Sequence, residues 1–175
     1  MKTYAGIGSR ETPPDICEKM TKIANYLNTL DFTLRSGGAD GADLAFEAGA
    51  GNKKEIYLPW KGFNGSDSPL YLPENMWDMS GVFRSPIDFA RVFHPAWDNL
   101  SEGGQRMMIR NGFQIMGQTL DNPVKFVVCW TKDGKESGGT GQAMRIAHRY
   151  CADIYNLKID GEIDRLREYL KRTTE

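Results

Sequence analysis

Arg35-Ser36-Gly37-Gly38-Ala39-Asp40-Gly41-Ala42-Asp43 closes one apolar run and opens another of different period. Phe32-Thr33-Leu34 before it has the character of a short strand. Leu44-Ala45-Phe46-Glu47-Ala48 after it reads as a helix, stopped by Gly49 and Gly51. A glycine-rich turn from strand to helix lets a ligand approach the backbone, because glycine has no side chain in the way. The free N–H groups at the start of the following helix favour an anion such as phosphate. The stretch therefore predicts a nucleotide-type site at the end of a strand. Asp40 and Asp43 admit two roles there: capping the helix start, or accepting hydrogen bonds from ribose hydroxyls or a base.

Working outward, residues 3–7 form a short strand followed by Gly8-Ser9-Arg10. That tripeptide supplies a hinge, a hydroxyl and a guanidinium whose planar fork of donors matches phosphate oxygens. Pro13, Pro14 and Asp15 suit a helix entry. Ile16, Met20, Ile23, Ala24 and Leu27 then recur at helical spacing, which predicts a helix over 14–30. A third strand is read at 55–59. From 60 to 98 the periodicity lapses, with Gly62, Gly65, Pro69, Pro73, Gly81 and Pro86 as punctuation. A connection of that length in a compact domain points to function. We expect an ordered excursion with a short helix near 86–93. Its aromatic residues (Trp60, Phe63, Tyr71, Trp77, Phe83, Phe89, Phe93 and Trp97) either pack over the ligand-binding end of the sheet or form a satellite core.

Ser101 is a good N-cap for a helix over 102–117, in which Arg106, Arg110 and Gln114 share a face. Two arginines in register are tolerated on a solvated surface or are useful against an anion. Residues 124–130 form the most apolar strand, read as buried on both faces. Gly138-Gly139-Thr140-Gly141 leads into a helix over 141–151, with Arg145 and Arg149 on what reads as a solvated face. A fifth strand at 153–157 and a charged helix at 160–171 complete the chain. Alternating strands and helices predict an α/β fold: a single Rossmann-like domain over 1–175. The expected architecture is a doubly wound parallel sheet of about five strands, order 3-2-1-4-5, with helices on both faces. Ligands then bind beyond the carboxyl ends of the strands, at the switch between the first and fourth. The glycine turns at 8–10, 36–41 and 138–142 should meet there.

Composition narrows the function. The 175 residues carry a net charge of −1 and a pI near 6.2, so no global basic field awaits nucleic acid. Cys17, Cys129 and Cys151 form neither a C-x-x-C pair nor a disulfide framework, and read as buried thiols. With two histidines besides, no metal site and no cofactor are expected. No signal peptide or membrane span is visible, and a reducing cytoplasm is the expected home. Neither G-x-G-x-x-G nor a P-loop follows a strand, and no Ser–His–Asp arrangement can be argued.

Gly6-Ile7-Gly8-Ser9-Arg10, Ser36-Gly37-Gly38-Ala39-Asp40-Gly41-Ala42-Asp43, Arg110-Asn111, Val127-Val128-Cys129-Trp130-Thr131 and Gly138-Gly139-Thr140-Gly141-Gln142-Ala143 occur in that order. Together they resemble the SLOG superfamily, which joins Smf/DprA DNA-processing proteins to the Lonely-guy (LOG) phosphoribohydrolases. The likeness spans about residues 3–157 and is nearest to small stand-alone DprA-like proteins of bacteria and phages. It implies a Rossmann-like, often oligomeric domain that binds nucleotides or their derivatives. DprA proteins bind single-stranded DNA; LOG enzymes cleave the N-glycosidic bond of a nucleoside monophosphate; related domains sense nucleotide signals, including ADP-ribose derivatives. Arg110 matches the LOG catalytic arginine in place. The LOG glutamate, however, falls on Arg145, a cation where an oxocarbenium-like transition state wants a carboxylate. The surviving glycines thus imply binding better than turnover. The leading expectation is a nucleotide or nucleotide-derived ligand held by Gly8, Ser9, Arg10, Ser36, Gly37, Gly38, Ala39, Asp40, Gly41 and Asp43 on one side. Arg110, Asn111, Trp130, Thr131, Gly138, Gly139, Thr140, Gly141 and Gln142 complete the set. The alternatives are a DprA-like single-stranded DNA binder, with a groove built from Arg10, Arg35, Arg106 and Arg110, and a LOG-like hydrolase using Arg110 with Asp40, Asp43 or Glu47.

Overall fold

The apolar run near residue 126 becomes β4 (Phe126–Cys129), every residue of which is buried. Successive strand side chains point to opposite faces, so such a strand needs two cores. Phe126 and Val128 enter one core with Tyr4, Phe46 and Tyr155. Val127 and Cys129 enter the other with Ala5, Ile115 and Ile146. The structure, a computed structural model, describes residues 1–79, 81, 84–150 and 152–174. Phe83 and Cys151, read above as an excursion aromatic and a buried thiol, lie outside the described residues.

Around β4 the sheet is parallel throughout: β1 (Lys2–Gly6), β2 (Phe32–Ser36), β3 (Lys54–Ile56) and β5 (Asp153–Asn156) give the order β3-β2-β1-β4-β5. β1 pairs with both β2 and β4, with Ala5 opposite Arg35 on one side and Val127 on the other. The fold is the expected doubly wound, Rossmann-like α/β arrangement. Helices α1 (Pro14–Thr29) and α2 (Ala42–Gly49) cover the first core, joined by α6 (Glu162–Thr174) through Leu166 and Leu170. Helices α4 (Glu102–Met116) and α5 (Gly138–Arg149) cover the second. Because the connections change face between β3 and β4, a crevice opens where β1 and β4 part.

The excursion resolves into a satellite core. Helix α3 (Arg84–Val92) and the short 3-10 turn at Trp97–Asn99 pack on α4, whereas Phe63 of the 3-10 turn Phe63–Gly65 joins the first core. Tyr57, Leu72, Met76, Ala90 and Trp97 meet Met108, Ile109 and Phe113 there. None of the described residues in 60–98 lines the crevice. Arg106 ties the later part of the excursion to α4, its guanidinium donating to the carbonyls of Pro73 (3.1 Å) and Glu74 (2.7 Å). Arg35 is likewise internal, bonded to Glu55 (2.7 Å) and the carbonyl of Asn122 (2.7 Å). Neither arginine can line the basic groove that the DNA reading requires.

Candidate nucleotide crevice

Gly8-Ser9-Arg10, immediately after β1, forms one wall. Its backbone is tied to the end of β4, with Ser9 N–H donating to the carbonyl of Trp130 at 3.1 Å. Its outer side lies on Gly41, where a Cβ would stand 2.6 Å from the Ser9 carbonyl oxygen. Gly41 also has φ +77°, so both close approach and backbone conformation require glycine. The other walls come from α4 and the loop 131–140. The resulting crevice, about 530 Å³, is lined by Gly8, Ser9, Arg10, Ala39, Asp43, Arg110, Asn111, Thr131, Gly138, Gly139 and Thr140 among the residues expected from sequence. That volume suits a small-molecule ligand.

Eight expected residues lie outside the lining, and most of them build its frame. Ser36 is buried, its hydroxyl donating to the carbonyl of Gly6 at 2.6 Å. Gly37 meets α4: its carbonyl accepts a hydrogen bond from Arg110 Nη1, and a Cβ there would stand 2.0 Å from that nitrogen. Gly38 takes φ +67°, and its carbonyl accepts from Asn64. Asp40 is exposed and also accepts from Asn64, at 3.0 Å, so neither it nor Asp43 caps α2. Gly41 backs the first wall, as above. Trp130 belongs to the first core. Gly141 seats against the backbone of Glu136. Gln142 is fully buried and its amide nitrogen points to the carbonyl of Ala90 at 3.4 Å, linking α5 to α3. Arg145 does the same through Nε to the carbonyl of Phe93 at 3.0 Å. Its side chain is thus drawn onto the excursion helix and away from the solvated face read from its spacing.

Two buried charges occupy the crevice floor. Asp43, 4% exposed, accepts a backbone hydrogen bond from Ala39 at 3.4 Å, with the N–H groups of Gly37 and Gly8 facing the same carboxylate. An internal carboxylate therefore occupies N–H groups that the sequence assigned to a ligand's phosphate. Burial pushes its pKa up to about 6, although Arg110 and the three N–H groups pull the other way. Arg110, 6% exposed, donates to the carbonyl of Gly37, to Asn111 Oδ1 (3.2 Å) and to the Met107 sulfur (3.3 Å). It makes no ion pair among the described residues. Burial lowers its pKa; Asp43 opposes that and Arg10 adds to it.

The third glycine turn sets backbone donors of a helix start at the crevice. Helix α5 begins at Gly138, three residues earlier than its apolar pattern indicates, and its N-cap Ser137 makes no side-chain cap. The first N–H groups of a helix lack internal partners, and Gly138, Gly139 and Thr140 all border the crevice. Asn111 fixes this turn by donating to the Gly139 carbonyl at 3.0 Å. Thr131 is held by Asn156, which donates to its hydroxyl at 2.7 Å. Sequence reading missed Glu11, Met107, Met108, Gln114, Lys132 and Ser137 in the lining. The methionines read as core, while Gln114 carried a signal in its position one turn beyond Arg110.

Comparison with known proteins adds the fold's relationship. The chain is similar to the solved structure of DNA processing protein A from Helicobacter pylori, a protein studied for a distinctive mode of single-stranded DNA binding. The TM-score is 0.54 at 17% identity, over 96% of this chain and 72% of that one. The two share a fold. No protein-family model and no curated protein sequence matches the chain. Among the described residues, no helix is long and apolar enough to cross a membrane, and no cluster of His, Cys, Asp and Glu could hold a metal ion.

Proposed function

We propose that this protein binds a nucleotide or nucleotide-derived small molecule in the crevice between β1 and β4. The observation that carries the reading is Arg110, a buried guanidinium with no ion pair among the described residues, set on the wall of a ligand-sized opening. A buried cation is expensive unless an anion compensates it. Asp43 offsets part of that cost, and a phosphate entering from the α5 side supplies the rest. Gly138, Gly139 and Thr140 offer backbone donors, Asn111 holds their turn in place, and Arg10 adds a fork at the rim. The order of motifs and the shared fold support a place in the SLOG superfamily and, with it, a cytoplasmic setting.

Turnover is no part of this proposal. The position of the LOG glutamate is Arg145, bonded to Phe93, and the carboxylate of Asp43 is engaged by backbone N–H groups. Single-stranded DNA is the second reading, favoured by the likeness to DNA processing protein A. Against it, binders of this kind combine a basic groove with stacking aromatics, and Arg35 and Arg106 are committed internally. Thermal denaturation separates the two. AMP, NAD or ADP-ribose at about 100 times its dissociation constant should stabilise the fold by about 2.7 kcal/mol. Oligo-dT should do so only at low salt, if at all. A melting temperature indifferent to every phosphate-bearing ligand would refute the proposal.

A further inference from the structure

Gln114 is 2% exposed, yet its side-chain amide hydrogen-bonds to nothing among the described residues. Arg110, one turn earlier on α4, is held by four neighbours; Gln114 by none. Its amide nitrogen sits beside Gly37, where a Cβ would stand 2.5 Å away. The Tyr4 hydroxyl and Gln142 Oε1 are enclosed by protein without partners, whereas the Gln114 amide faces the open crevice. Such an amide offers two donors and an acceptor, and a buried polar group left unpaired is costly. Asp43 is a buried acceptor in the lining of the same crevice, so amide and carboxylate share its inner end.

Resting on the nucleotide reading, we infer that Gln114 recognises the ligand's nucleobase, with the phosphate between Arg110 and the start of α5. A carboxamide pairs side by side with an edge that carries an adjacent donor and acceptor, as glutamine does with adenine N6 and N7. Nucleobases present such an edge; a phosphate or a sugar ring alone does not. Asp43, an acceptor, favours the donors of that edge and opposes a second phosphate at the inner end. Gln114 is thus a specificity residue.

Calorimetric titration of the whole chain with AMP, ribose 5-phosphate and inorganic phosphate tests this. The wild type should bind AMP about 10-fold or more tightly than ribose 5-phosphate, the penalty for leaving the amide unpaired. Gln114→Met, similar in length and apolar, should bind both alike, with ribose 5-phosphate affinity unchanged. Its melting temperature should equal or exceed that of the wild type, which a structural amide would not allow. Equal wild-type affinities, or AMP binding untouched in Gln114→Met, would overturn the inference while leaving the anion site standing. Losses shared equally by AMP and ribose 5-phosphate would also overturn it. If none of the three probes binds the wild type, the anion-site reading itself fails and this inference with it.

Discussion

At Gly37 the absence of a side chain is what lets α4 reach the second glycine turn. The guanidinium of Arg110 and the amide of Gln114 both occupy the space a Cβ would take, at 2.0 and 2.5 Å. Gly37→Ala should therefore displace both side chains from the crevice floor. Overpacking of this kind costs about 1–3 kcal/mol, read by urea denaturation, and phosphate affinity should fall with it. Asp43 has a signature in pH. Its carboxyl ionises near 3.8 in the unfolded chain and at about 6 in the folded one. The stabilising contribution of the bound proton is fully present below the lower value and is lost as pH rises through the upper. The wild type should thus lose on the order of 3 kcal/mol relative to Asp43→Asn between pH 4 and 7. Parallel pH–stability curves for the two proteins would contradict this account of the buried carboxyl.

At the scale of elements, α4 is the organising helix, because four of its buried side chains serve three different neighbours. Arg106 holds the excursion, Arg110 and Gln114 face the crevice, and Asn111 beside them steers the start of α5. Arg106→Ala removes donors to the Pro73 and Glu74 carbonyls and leaves the excursion without its main polar tie. A loss of about 2–4 kcal/mol is expected, since hydrogen bonds to charged groups contribute about 1.5–3 kcal/mol each. Hydrogen exchange should quicken over residues 60–79 while β1, β2 and β4 stay protected. Uniform acceleration across the sheet would show instead that the excursion and the sheet unfold as one unit. Gln142 and Arg145 extend the same logic. Their bonds to the carbonyls of Ala90 and Phe93 dock α3 on α5, so Arg145 has a structural use.

For the whole molecule, sheet order and strand positions were legible because apolar periodicity and glycine punctuation are local signals. β4 announced its double burial through its unbroken apolar run, and the three glycine turns follow from strand order. The identity of the anion in each turn was not legible. Only the folded chain brings Asp43 back onto the N–H of Ala39, and the α5 turn is therefore the place proposed for an outside phosphate. The arginines were misjudged for the same reason: Arg35 and Arg106 find partners 87 and 32 residues away in sequence. The aromatic excursion showed its composition but not its direction. Three cations and two carboxylates line the crevice, Arg10, Lys132 and Arg110 against Glu11 and Asp43. That modest positive excess suits one phosphate group better than a polyanionic strand. Titration of the purified protein with AMP, repeated at low and high salt, tests this most directly. The prediction is saturable one-to-one binding, competed by inorganic phosphate and weakened only slightly by salt. Silence toward AMP, together with oligo-dT binding that collapses as salt rises, would contradict it.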